Sequence, residues 1–317
     1  MKQTQFISIR QAHWQKLEAF FNGEASAEKL DLPALLRAVT HDLAVAKSRG
    51  YSPAIIDRLN TLITSAQAHM YRPKQRIGYQ LIRFLRLGFP LSVQNLKQAC
   101  VINHILFYGF ALLAAGLVAY QPQMIYSFVD NAQLRTMEHM YNPDANWRQI
   151  ERASSGDFQM FGFYIFNNIK IAFQTFAGGL LLGVGALFYL LFNGFYFGAL
   201  SAHMVNIGYQ STFFSFVITH GAFELTAIVL SAAAGTHIGY SLLNPGRLSR
   251  HIAVKQAALR AFPVLLGAFV FLVIAAFIEA FWSSSQALPQ GVKYAVGTLC
   301  WIGVAIYFCR GLKYATR

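Results

Sequence analysis

His220 and Glu224 stand four residues apart inside the long apolar stretch Ser211–Tyr240. On a helix, that spacing puts an imidazole and a carboxylate on one face, a turn apart. Such a pair can pass a proton, hold a cation or clasp a neighbouring helix. A carboxylate at the centre of a membrane helix costs roughly 2.5 to 3.5 kcal/mol on insertion scales, so Glu224 is expected to be paired, protonated or turned toward a cavity. Glu279, in Phe277-Ile278-Glu279-Ala280-Phe281, is the second carboxylate at this level, near the end of its own apolar run. Asn167, Asn168 and Asn193 add amides that hydrogen bond without carrying charge. Together these residues make the expected intramembrane polar cluster. Its competing roles are a structural clasp, a proton or ion pathway, a metal or catalytic centre, and a lipid-headgroup site.

Spacing alone assigns no metal. His203, His220 and His237 recur at intervals of 17 residues, which leaves successive rings about 100 degrees apart around a continuous helix, so they share no face. His-x-x-x-Glu is not the zinc-protease pattern, which needs two histidines a turn apart with a glutamate between them. A site built across helices from His220, Glu224 and Glu279 has no motif behind it. Cys100, Cys300 and Cys309 show neither metal spacing nor a disulfide framework and read as small apolar side chains. No serine, cysteine or phosphate-loop constellation appears, so no catalytic residue or cofactor is assigned and the chain is not read as an enzyme.

The elements that carry this cluster belong to a membrane. The 317 residues are 55% hydrophobic and 12% charged, with 28 Phe and mean hydropathy +0.39; a soluble domain carries about a quarter charged residues. The first hundred residues hold fourteen Lys/Arg against six Asp/Glu, whereas between Ile165 and Leu243 only Lys170 and Glu224 are charged. The chain therefore divides into a helical head over 1–75, a basic interfacial helix over 76–100 and a transmembrane domain over 101–317. The fold class is all-α, a polytopic membrane protein with an N-terminal cytoplasmic helical bundle.

In the head, Phe6 to Phe21 ends at Asn22-Gly23, Leu32 to Ser48 ends at Gly50, and Ser52-Pro53 opens a third helix reaching Tyr71. A bundle this small has a thin core and is expected to lean on the membrane or a partner. Between Asp57 and Asp130 there is no acid, while Arg72, Lys74, Arg76, Arg83, Arg86 and Lys97 accumulate. Ile77 to Arg86 reads as an interfacial helix ending before Pro90, with Arg76, Arg83 and Arg86 meeting anionic lipid headgroups. Nucleic acid is excluded as the partner because the positive-inside rule already accounts for cations beside a span. Met1 to Gly50 is polar and amphipathic, unlike a signal peptide, so the first hydrophobic segment is expected to direct insertion.

Val101–Tyr120 is the first charge-free span. The loop over 121–160 follows, holding Asp130, Glu138, Asp144, Glu151 and Asp157. The charge asymmetry places the head in the cytoplasm of a cell with an inner membrane and this loop outside, with an amphipathic helix around Met124–Met137 on the outer surface. Further on, a bent entry is expected to lead into a helix over Phe176–Phe192, a break at Asn193-Gly194, and a short or broken element over Gly194–Gly208. Ser211–Tyr240, Val264–Trp282 and Val292–Arg310 complete five to six membrane segments, some of them broken. Gly179 with Gly183, Gly194 with Gly198, and Gly235 with Gly239 sit one turn apart and predict close helix packing, within the chain or along a homodimer seam. Gly221 is expected to admit another helix beside His220.

The chain resembles the stage II sporulation protein M family of integral membrane proteins. The resemblance rests in the head on Trp14-Gln15-Lys16-Leu17-Glu18, Asp42-Leu43-Ala44, and Leu59-Asn60-Thr61-Leu62 with His69 and Tyr71. In the body it rests on Tyr164 to Ile169, Phe176-Ala177-Gly178-Gly179, Asn193-Gly194, His220 to Leu225, Ala234-Gly235, Pro245-Gly246 and Phe277 to Phe281. It implies a polytopic inner-membrane protein. In spore formers the namesake is the membrane platform of an engulfment complex with peptidoglycan-degrading partners, and is not itself a hydrolase. The long head and acidic loop here fit a broader relative, so the sporulation role is not carried over. The resulting expectation is a scaffold for other envelope membrane proteins. The alternative is a proton- or ion-coupled transporter or channel working through Glu224 and His220.

Overall fold

The computed structural model describes residues 1–22, 31–70, 77–144 and 154–315, and no strand occurs among them. The chain separates into two compact units, Met1–Ile77 and Gly78–Arg317.

The first unit holds α1 (Gln3–Phe21), α2 (Leu32–Ser48) and α3 (Pro53–Met70). Asp31 caps α2 by accepting from the Ala34 amide at 3.0 Å. At the other end of α2, Gly50 takes φ +62°, which turns the chain so that the Tyr51 amide closes on Ala46 O. The core forms around Trp14, fully buried among Phe6, Leu17, Val39 and Leu59. Its indole Nε1 donates to Asp42 Oδ2 at 3.0 Å, and Arg10 pairs with the other Asp42 oxygen at 3.3 Å. A buried carboxylate is tolerated only with such partners. Arg58 completes the arrangement, lying 5.5 Å over the Trp14 ring while it holds Glu18 through two hydrogen bonds of 2.7 and 2.8 Å.

The second unit opens within α4 (Ile77–Arg83), which is followed by a π turn over Phe84–Gly88 and α5 (Phe89–Asn95). The sequence reading stops this helix before Pro90. In the structure Pro90 sits in the first turn of α5 directly after the π turn, and the chain stays helical through it. Ile77, Tyr79, Leu81, Ile82, Arg83 and Arg86 are exposed; Arg76 lies outside the described residues. Phe89 is buried and stacks edge-on against Phe271 and Phe308, in space left by Gly267.

Then come α6 (Lys97–Tyr120), α7 (Ile125–Phe128), α8 (Asn131–Tyr141), α9 (Ser154–Ala177), α10 (Val184–Asn206), α11 (Gln210–Leu243), α12 (Arg250–Phe277) continuing as a π turn over Ile278–Ser283, and α13 (Gln290–Ala315). Five helices among the described residues are long and apolar enough to cross a membrane: α6, α10, α11, α12 with its π turn, and α13. α9 is not among these five, carrying Asn167, Asn168 and Lys170, but it runs through the same bundle, its C-terminal end reaching Gly185 and Gly235 through Gly178 and Gly179. Contacts fix the directions. α10 runs parallel to α6, with Gly194 against Phe107, Gly198 against Ala111 and Asn206 Nδ2 donating to Val118 O at 3.1 Å. α11 runs back, since Asn103 Nδ2 near the start of α6 donates to Thr236 Oγ1 near the end of α11 at 3.0 Å. At the far end of α13, Gly311 meets Pro90 O and Phe308 O accepts from Gln94 at 2.9 Å. α6 therefore begins, and α13 finishes, at one end of the bundle, called proximal below. An even number of passages through the bundle must separate them, and α9 with the five apolar helices makes six.

Two expectations are corrected here. The helix expected over Phe176–Phe192 does not exist: α9 ends at Ala177, and the turn runs through Gly178-Gly179 to Leu182 (φ +54°) and Gly183 (φ +84°). Asn193-Gly194 does not break the chain either, and Gly194–Gly208 is no separate short element, because both lie within or just beyond the continuous α10. Asn193 satisfies its own amide by donating to Tyr189 O at 2.7 Å, inside the helix.

The small residues work inside the chain. A Cβ on Gly179 would strike Gly235, one on Gly239 would strike Gly183, and one on Gly198 would strike Ala111. With these glycines facing their own helices, none of them is left for a seam between copies. Gly221 departs from expectation: a Cβ there would meet only Val217 and Leu225 of its own helix, so no other helix closes on it.

At the distal end, α7 and α8 do not form one helix lying on a lipid surface. Val129 breaks them, Asp130 caps α8 through the Ala132 and Gln133 amides, and Ile125, Val129, Leu134 and Tyr141 bury against Ala114, Val118, Met204 and Phe213. The segment is a cap seated on the ends of α6, α10 and α11.

Candidate functional site

α11 is the most enclosed of the five, 67% of its most apolar stretch being buried against 17% in α13. It carries His220 and Glu224 on one face in the distal half of the bundle, with His220 Nε2 3.8 Å from Glu224 Oε2. The π turn after α12 brings Glu279 to the same place. One ligand atom from each of His220, Glu224 and Glu279 lies within 4.8 Å of the others. A π turn widens a helix by one residue and re-aims the side chains that follow. Here it also delivers Ser283, whose Oγ is 3.1 Å from His220 Nδ1. The ring's other side faces Phe216 edge-on at 5.3 Å.

From α9, Asn168 is buried at 2% exposure; its Oδ1 accepts from Asn167 at 3.3 Å, while its side chain interacts with the Glu279 carboxylate outside strict hydrogen-bond geometry. Asn167 itself is exposed and reaches the cluster only through Asn168. Asn193 is not part of it, being turned to Tyr189 as described.

Three groups escaped sequence reasoning. Ser283 sits in an unremarkable serine run. Lys293 is buried at 6% exposure, its Nζ donating to Ser283 O at 2.8 Å and Ser285 O at 2.7 Å, so a cation at the end of a span closes the loop that bears the site. Tyr141, on the cap, lies within electrostatic reach of both Glu279 and Glu224. Only its place in an acidic loop was visible beforehand.

The three evenly spaced histidines go to three places. His203 pairs with Glu138 of the cap at 2.7 Å. His220 joins the cluster. His237 lines a cavity of about 710 Å³ at the proximal end with Asn103, Thr236, Lys97, Leu182 and Leu187. Asn103 Oδ1 and His237 Nε2 are buried there without a hydrogen-bond partner. Thr236 is 12 residues beyond Glu224, about 18 Å along α11, so this cavity and the cluster are separate features.

A helical bundle with five helices long and apolar enough to span a membrane, a His/Glu/Glu cluster and a seated distal cap defines a polytopic α-helical membrane protein. The chain belongs to the Stage II sporulation protein M family, which it matches over residues 104–284. That match spans the cluster, the glycine contacts and the cap. The head falls outside it and matches instead a domain of unknown function, DUF8413, over residues 4–72, so the head residues quoted for the resemblance belong to a separate module. The chain is also similar to an uncharacterized protein of Methanocaldococcus jannaschii, 31% identical over 118 residues, covering 36% of this chain and 66% of that protein. The similarity thus spans just under two thirds of that relative. No solved structure matches the chain.

Proposed function

We propose that this protein is a platform in the cytoplasmic membrane that holds partners of a cell-envelope complex, with the head in the cytoplasm, the cap outside, and no enzymatic step of its own. One observation carries the reading: the distal segment is a fixed surface. Glu138–His203, Thr212 Oγ1 to Tyr141 O at 2.5 Å and Gln133 Nε2 to Tyr196 Oη at 3.0 Å fasten α8 to α10 and α11. A surface held this firmly presents the exposed Arg135, Thr136 and His139 in one geometry, which is what docking of a partner rewards. Charge supports the orientation. Arg83, Arg86, Lys97, Arg247, Arg250 and Lys255 gather at the proximal side and Asp130, Glu138 and Asp144 at the distal side, as the positive-inside rule requires of a cytoplasmic proximal face. Arg83 and Arg86 then meet anionic headgroups of the bilayer.

Two measurements test the reading. Photocrosslinking from Arg135 and Thr136 in host cells is expected to give discrete adducts with envelope membrane proteins, and from the lipid-facing Leu299 none. Proteoliposomes of the full chain are expected to show proton and ion flux no greater than empty vesicles. Flux that Glu224→Gln abolishes in a folded protein, or an α8 surface without adducts, overturns the platform in favour of ion-coupled transport.

A further inference from the structure

We propose that His220, Glu224 and Glu279 form a binding site for one divalent transition-metal cation of the zinc class, which pins α11 to the π turn after α12. The proposal is independent of the platform reading, because the site closes between two helices of one chain whatever docks on the cap.

The donor set comes first. One imidazole nitrogen and two carboxylate oxygens lie within 4.8 Å of one another. Ligands about 2.0–2.2 Å from a tetrahedral zinc ion stand roughly 3.4 Å apart, so side-chain adjustments of about 1 Å close the shell. A mixed nitrogen and oxygen set suits Zn²⁺ and its first-row neighbours better than the softer Cu(I) or an all-oxygen Ca²⁺ or Mg²⁺ site. Three protein ligands leave one position for water or another donor.

The surroundings point the same way. His220 Nδ1 lies 3.1 Å from Ser283 Oγ. With the Nδ1 proton donated there, the Nε2 lone pair faces Glu224, the orientation that metal-bound imidazoles receive from their outer partners. Asn168, only 2% exposed, directs its side chain at the Glu279 carboxylate outside strict hydrogen-bond geometry. A Glu279 carboxylate drawn into a metal shell is held from outside by this amide, the place an outer partner of a ligating carboxylate takes. Two acids this close in a membrane interior require a positive charge or a proton between them. A divalent cation meets both carboxylates and the imidazole at once. Glu224 retains 19% side-chain exposure, which leaves an approach for the ion.

The test uses the full chain in nanodiscs, free of any affinity tag, stripped with a chelator and titrated with Zn²⁺ alone. One equivalent per chain is expected after desalting. Glu224→Gln, Glu279→Gln and His220→Ala should each weaken binding at least about tenfold, and Asn168→Leu about tenfold as an outer-shell change. His237→Ala and His251→Ala should leave it unchanged. Loss of the wild-type equivalent on desalting, or its full retention in all three ligand variants, overturns the site. Should the ligand variants fail to fold, the wild-type zinc-edge absorption spectrum decides: one imidazole with oxygen donors supports the assignment, and a shell of several imidazoles or of sulfur refutes it.

Discussion

Glu138 of the cap helix α8 and His203 near the end of α10 meet at 2.7 Å between Oε1 and Nε2, with the His203 side chain 6% exposed and that of Glu138 33% exposed. The contact joins residues 65 apart in the chain and ties an acidic connection to a membrane helix. It turns what reads as a loop into part of the bundle.

Breaking that tie should free the cap while leaving the helices beneath it intact. Glu138→Ala is expected to remove about 1.5–3 kcal/mol from the local stability of α8, the usual worth of a hydrogen bond to a charged group. Limited proteolysis between Gln121 and Tyr141 should accelerate, and hydrogen exchange in α11 should stay unchanged. Cleavage at the wild-type rate would show that the buried apolar contacts hold the cap alone.

The parallel pair α6 and α10 depends on Gly198, where any Cβ would collide with the Ala111 carbonyl. Gly198→Leu should therefore lower thermal stability by at least roughly 2 kcal/mol, at the upper range of overpacking costs. Gly109→Leu supplies the comparison, since nothing lies within 4 Å of a Cβ there; its effect should stay within about 0.5 kcal/mol. Equal losses in the two variants would mean that α10 does not approach α6 as described.

In the head, the Arg58 hydrogen bonds hold the Glu18 carboxyl below the usual carboxylate range, against a smaller opposing effect of burial. A carboxyl with a lowered folded-state pKa stabilises the fold above its unfolded pKa, and that contribution disappears as pH falls through the folded value. Relative to Glu18→Gln in the full chain, wild type should show stronger hydrogen-exchange protection in α1 and α3 at pH 7, by up to about 1 kcal/mol for a partly exposed pair. The difference should shrink through and below the carboxylate range. A gap that widens on acidification would contradict the assignment.

Much of the architecture is legible in residue order because the bilayer imposes simple rules. Charge-free runs near 20 residues must be helices, and α6, α11 and α13 lie close to where hydropathy puts them, whereas α12 begins at Arg250, well before the Val264 that hydropathy gives, because its first turns are basic. In the head, Leu32–Ser48 is read with its true ends because its apolar period stops at Gly50, which the structure shows closing the helix. The stretch from Ser154 to Asn206 was not readable in the same way. Its helix-breaking signals are glycines and asparagines, and these residues also serve tight packing and internal capping. Gly178-Gly179 turns the chain, whereas Asn193-Gly194 does not, and only the neighbouring backbone of α6 distinguishes them.

By itself the sequence determined that this chain spans a membrane as helices, that its cations and acids segregate, and that Glu224 and His220 share a face, because hydrophobicity, charge and helical period act locally. Which carboxylate joins them, that Asn168 is included and Asn193 is not, and that the acidic loop is seated as a cap were decided only by the tertiary structure. Those outcomes depend on the lateral order of six helices and on one π turn, and no local rule encodes the contacts of residues that lie far apart along the chain.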